Sequence, residues 1–155
     1  MTAAEAYELT TRGGATDFAR LIAACESFGP YCLIGGLAVN CYVEPVYTLD
    51  ADLVLEHAHS VNVLAPGSDL RMQFTTDERY QEFLERATAA DALGIRVSVA
   101  CLEDVTRGKP WACGDPSRRL SKRKKDELDL IRLGEAYPEL RSLYPDELRQ
   151  QLDRG

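Results

Sequence analysis

A chain of 155 residues with 18 lysines and arginines against 25 aspartates and glutamates carries a net charge of -7, with 45% hydrophobic and 28% charged residues. That length holds one domain with a sizeable core, the composition excludes wholesale disorder, and the acidic balance excludes a protein that coats nucleic acid by neutralising its phosphates. No apolar run approaches the roughly eighteen residues of a membrane span, and the opening residues lack the basic and apolar regions of a signal peptide. The expectation is a cytoplasmic protein that makes no membrane contact.

Residues 1–14 show no clear period and end at Gly13-Gly14, which reads as a loose arm. Thr16 can cap a helix in which Phe18, Leu21, Ile22, Cys25 and Phe28 recur at helical spacing and which Gly29-Pro30 stops. Residues 31–34 are an apolar strand ending in Gly35-Gly36, and residues 37–43 read as a short helix. Residues 48–55 alternate as a strand. The gap after Leu55 is too short for a helix, so 48–55 and 60–64 are expected to form an antiparallel hairpin. With 70–75 following the turn-rich residues 65–69, the middle of the chain reads as a meander. With no helix in that gap, one face of the sheet is expected to be uncovered, which would favour a homodimer or a protein partner.

Asp77 can cap a helix over 78–86, with Tyr80, Phe83, Leu84 and Ala87 as its apolar stripe, and 95–100 is a further strand entered from Gly94. Residues 101–111 start helical through Leu102 and Val105, but Gly108 and Pro110 predict a loop in the second half. Asp115-Pro116 predicts the start of a long helix running through Leu120, Leu128 and Ile131 toward Glu135. Tyr137-Pro138 stops it, and Leu140, Leu143, Leu148 and Leu152 mark a short terminal helical segment. The fold class is therefore α/β (α+β): an arm over 1–14, a domain over 15–138 built on a small mixed sheet flanked by helices, and a helical C-terminal tail over 139–155.

Asp50 and Asp52 lie two apart on the 48–55 strand and share one face, while Leu49, Ala51 and Leu53 share the other. Two carboxylates on an otherwise apolar strand repel each other and lose hydration unless a cation compensates, and Mg2+ bound by carboxylates is commonly completed by substrate phosphates. Gly35 and Gly36, read alone, mark a tight turn; together with Asp50 and Asp52 they read as a place where backbone amides can approach phosphates. Residues 118–125 hold six basic side chains in eight, and Arg118, Lys122 and Lys125 fall on one side of the predicted helix, where Asp126 and Asp129 could equally pair with them. His57 and His59 suit either a polar turn or proton transfer. The five cysteines, at 25, 32, 41, 101 and 113, form no close pair and read as reduced thiols; Cys101, Cys113 and His57 or His59 match no zinc spacing. Trp111 and the tyrosines are scattered and form no stacking platform.

Ile34-Gly35-Gly36, then thirteen residues, then Asp50-Ala51-Asp52-Leu53 resembles the signature of the nucleotidyltransferase-fold superfamily that includes DNA polymerase beta. Residues 122–133 resemble the basic, KDxxD-like C-terminal helix of small bacterial members related to abortive-infection toxins, so the resemblance spans roughly residues 31–138. It implies transfer of a nucleoside monophosphate from a nucleoside triphosphate to a hydroxyl of RNA, protein or a small molecule, with Mg2+ held by Asp50 and Asp52, Gly35 and Gly36 facing the phosphates, and Lys122 and Lys125 on the β- and γ-phosphates. A third carboxylate belongs on a neighbouring strand, where the candidate segment 70–74 carries Gln73 instead. The rival reading is a degenerate member that binds a nucleotide or a partner protein without transfer, and family analogy alone adds a toxin-antitoxin component.

Overall fold

The apolar strand Tyr31–Ile34 (β1) lies at the centre of a five-stranded mixed sheet, in a computed structural model that describes residues 1–56 and 66–155. On one side β1 pairs antiparallel with β2 (Asp50–Leu55), and β2 pairs parallel with the edge strand β3 (Arg71–Phe74). On the other side β1 pairs parallel with β5 (Ile95–Val99), whose outer neighbour is the antiparallel edge strand β4 (Thr88–Ala92). The order is β3-β2-β1-β5-β4. Helices flank the sheet, and all four β1 residues are buried, as a central strand requires.

Several expectations change. Residues 1–14, expected as a loose arm, contain helix α1 (Ala3–Thr10), closed by a reciprocal capping box between Thr2 and Glu5. Tyr7 anchors α1, because its ring is buried in the core and its hydroxyl donates to the Thr48 carbonyl at 2.7 Å. Helix α2 (Gly14–Phe28) starts at Gly13, with φ 99°, and not at a Thr16 cap; the Thr16 hydroxyl donates to Glu8 instead. Phe18, Leu21, Ile22 and Cys25 of α2 enter the core as the spacing predicts. Helix α3 is shorter than expected and begins at the glycines themselves (Gly35–Val39).

The meander is also corrected. β3 joins β2 directly and in parallel, and the long connection between them, residues 56–70, satisfies the length that parallel pairing needs. The expected 60–64 strand lies outside the described residues. The segment after Asp77 is a 3-10 helix (Glu78–Leu84), with the Asp77 carboxylate accepting from the Arg79 amide. Strand β4 has no sequence counterpart, since Thr-Ala-Ala-Asp-Ala carries little β-propensity. A hairpin turn at Leu93 and Gly94, φ 52° and 83°, lays it against β5.

Helix α4 runs unbroken over Leu102–Cys113 with Pro110 inside it, and not as a short helix and loop. Its second half is held from outside: Gly108 lies against the Tyr80 and Phe83 rings, and Lys109 is bonded to two aspartates of the next helix. That helix, α5 (Leu120–Ala136), begins later than Asp115-Pro116, because the Asp115 carboxylate closes a turn on the Ser117 amide and hydroxyl. Its inner face is Asp126, Asp129, Leu130 and Leu133, whereas Leu120 and Leu128 are exposed. A 3-10 turn (Pro138–Leu143) and α6 (Asp146–Arg154) end the chain, packing Leu140, Tyr144 and Leu148 on Leu130. Among the described residues no helix is long and apolar enough to cross a membrane.

Candidate functional site

Strand register assembles the site. The antiparallel pairing of Ile34 with Asp52 brings the end of β1 beside Asp52, and the parallel pairing of Asp52 with Gln73 puts β3 on its other side. Gly35 therefore lies directly against the Asp52 carboxylate. A Cβ built there would sit 2.2 Å from Asp52 Oδ2, and the φ of 70° independently favours glycine. Gly36 faces Thr48 with ordinary contact distances.

The two aspartates share a strand face but not an environment. Asp50 touches the Lys122 ammonium, and Arg71 Nε lies 2.8 Å from its Oδ1, placed there by the Asp50-Arg71 register. Burial pushes the Asp50 carboxyl up, but Lys122, with Arg71 and Lys125, outweighs that and holds it below the usual range. Asp52 makes no salt bridge among the described residues. Loss of hydration lifts its pKa to about 6, with Lys109 opposing the rise and Asp50 adding to it.

Two concavities meet at this carboxylate. One, of about 240 Å³, has a mixed lining that includes the rings of Phe74, Tyr80 and Phe83 together with polar and charged side chains such as Gln73, Asp104 and Lys109. Tyr80 and Phe83 are themselves braced by Trp111, over which the Arg79 guanidinium sits at 4.5 Å. The other, of about 110 Å³, is cationic, with Arg118, Arg119, Lys122 and Lys125 around Gly36, Thr48 and Asp50. Asp52, Gln73, Lys109, Arg118 and Asp126 border both. Lys125 donates to Thr48 Oγ1 at 2.7 Å, and its burial beside other cations lowers its pKa despite Asp50.

Behind the shared wall is a buried charge cluster. Lys109 donates to Asp126 at 3.0 Å and to Asp129 at 2.6 Å; Arg118 completes Asp126 and Arg132 completes Asp129, each at 2.9 Å. Burial alone would lower the Lys109 pKa, but the two carboxylates raise it, so the ammonium stays charged.

All six residues singled out in the sequence thus converge: Asp50, Asp52, Gly35, Gly36, Lys122 and Lys125 lie around the two cavities. Gln73 does stand beside Asp52. Asp126 and Asp129 are taken up by Lys109 and the neighbouring arginines, and do not serve Lys122 or Lys125. His57 and His59 lie outside the described residues. Lys109 and Arg71 join the site without having stood out in the sequence, whereas Arg119 belongs to the basic run at 118–125. A signal for Lys109 exists: Val105, Lys109 and Ala112 fall on one helical stripe, and a lysine on an apolar stripe is a buried charge awaiting partners. Arg71 has no such signal, since only the register with Asp50 gives it meaning.

Among the described residues no three His, Cys, Asp or Glu side chains are grouped to hold a metal ion. Asp50 and Asp52 could supply two carboxylates to Mg2+, with phosphate and water oxygens completing the shell. Asp52 fits that role, because it makes no salt bridge among the described residues and Lys109, Lys122 and Arg118 offset only part of what burial costs it. No family model matches the chain, and no curated protein matches it.

Proposed function

We propose that this protein binds a magnesium nucleoside triphosphate in the paired cavities and acts as a nucleotidyltransferase of the DNA polymerase beta type, moving a nucleoside monophosphate to a hydroxyl. The observation that carries the reading is the position of Asp52, a carboxylate without a salt bridge among the described residues, on the border between a cavity that holds the Phe74, Tyr80 and Phe83 rings and a nest of four basic side chains. A nucleotide has the matching polarity, with a planar apolar base at one end and a polyanion at the other.

Arg118, Arg119, Lys122 and Lys125 would hold the phosphates, with Gly36 leaving the backbone open to them. Tyr80 and Phe83 would shelter the nucleoside. Asp50 and Asp52 would hold Mg2+, which supplies neutralisation of the triphosphate charge and polarisation of the α-phosphoryl group. In the transfer, the acceptor oxygen bonds to the α-phosphorus, the bond to the β-bridging oxygen breaks and pyrophosphate leaves. Gln73, beside Asp52 on β3, cannot take the hydroxyl proton.

A second reading, nucleotide or partner binding without transfer, is favoured by two specific features: a glutamine beside Asp52 and a lysine of the same chain on Asp50. Calorimetric titration of Mg-ATP, Mg-GTP, Mg-CTP and Mg-UTP into the wild type and into Asp50→Ala/Asp52→Ala tests the metal-nucleotide site that transfer requires. Micromolar binding lost in the double variant is expected. Binding that survives it supports the second reading, and no binding to either protein refutes the nucleotide site.

A further inference from the structure

Of the two carboxylates offered to a metal, Asp50 is already matched by cations from this chain. Arg71 and Lys122 both contact it, two positive charges on one negative one. They are held differently. Arg71 comes from the adjacent strand in register with Asp50, and its side chain is 53% exposed and lines neither of the two cavities. Lys122 reaches Asp50 from α5, 72 residues away in sequence, on a flexible four-carbon stem that is 23% exposed. One helical turn further on, Lys125 hangs its ammonium on a neutral hydroxyl, that of Thr48. The two ammonium groups line the same cavity as Arg118 and Arg119, so an anion bound there has Lys122 among its neighbours.

We propose that Lys122 is a displaceable counter-cation, which competes with a divalent metal ion for Asp50 and surrenders the carboxylate when a polyphosphate draws its ammonium away. The inference rests on the metal-nucleotide reading and adds an order to it: polyphosphate first, metal second. Lys122 is thus a positioning residue that couples the two ligands. Such coupling is reciprocal, and whatever frees Asp50 raises metal affinity by the same factor with which metal raises affinity for the polyphosphate.

The test is the binding of Mn2+ alone at pH 7.5, followed by the paramagnetic resonance of the free ion, to the wild type, Lys122→Met, Lys122→Arg and Arg119→Met. Lys122→Met is expected to bind Mn2+ at least tenfold more tightly than the wild type, while Lys122→Arg, which keeps the competing charge, stays near it. Arg119→Met removes a positive charge from the same cavity without touching Asp50, and less than threefold tightening is expected. Equal tightening in Lys122→Met and Arg119→Met would reduce the effect to general electrostatics and overturn the proposal. Equal Mn2+ affinity in Lys122→Met and the wild type would overturn it while leaving the metal site intact. If no variant binds Mn2+, the proposal falls together with the metal reading. Lys122→Gln provides a second neutral side chain, should Lys122→Met fail to fold by circular dichroism.

Discussion

Two sets of buried charges lie side by side in this molecule and are finished differently. Around Lys109 every charge is answered: two aspartates share one ammonium and each has an arginine of its own. On β2, Asp50 has two cations in contact and its neighbour Asp52 makes no salt bridge among the described residues. A network of this kind ties helices together and reaches the cavities through Lys109, Arg118 and Asp126. A carboxylate left short of countercharge costs the fold stability, and the cost is one that a bound cation can remove.

The sharpest way to break the contrast is to damage the closed cluster. Lys109→Ala leaves Asp126 and Asp129 buried without their shared ammonium, and the expected loss is about 3 kcal/mol, because removing one partner strands the others. Urea denaturation at neutral pH measures it, and a loss below about 1 kcal/mol would show that the cluster is not what joins α4 to α5.

Asp52 should respond in the opposite direction. Its folded pKa of about 6 lies above the ordinary value of 3.8, so the fold favours the protonated form, and stability falls as pH rises from about 4 to about 6. Above that range the ionised carboxylate costs at most about 3 kcal/mol, reduced by water in the cavity. Asp52→Asn is therefore expected to stabilise the protein by about 2 kcal/mol at pH 7.5, and the gain should vanish near pH 4. A variant equally or less stable than wild type at pH 7.5 would mean that Asp52 is compensated after all. For the same reason, binding that needs ionised Asp52 should weaken as pH falls through about 6.

The smallest effect sharpens the comparison from outside both clusters. Tyr7→Phe removes only the hydrogen bond from α1 to the Thr48 carbonyl, next to the hydroxyl that receives Lys125. A loss of about 1 kcal/mol is expected in the same denaturation experiment. A loss as large as that of Lys109→Ala would place the N-terminal helix among the principal supports of the site.

Residues whose chemistry is local are legible in the chain itself. The alternation of 48–55 places Asp50 and Asp52 on one face, and the Gly35-Gly36 pair announces a turn, because side-chain period and glycine freedom are properties of a few neighbouring residues. The strand β4 is not legible in this way, since Thr-Ala-Ala-Asp-Ala becomes a strand only by pairing with β5. Nor is the full length of α4, because the partners that carry it past Gly108 and Pro110 come from α5 and from the rings after Asp77.

By itself, then, the sequence determined a mixed α/β domain, the carboxylate pair, the glycines beside it and the basic stretch at 118–125, all written in spacing and composition. Only the tertiary structure decided that β3 lies parallel to β2 with Gln73 beside Asp52 and Arg71 beside Asp50, that Lys109 closes on Asp126 and Asp129, and that Lys122 rests on Asp50. Those are pairings between distant segments, fixed by strand register and helix packing, and a change of one residue in register would have exchanged every neighbour of the two aspartates.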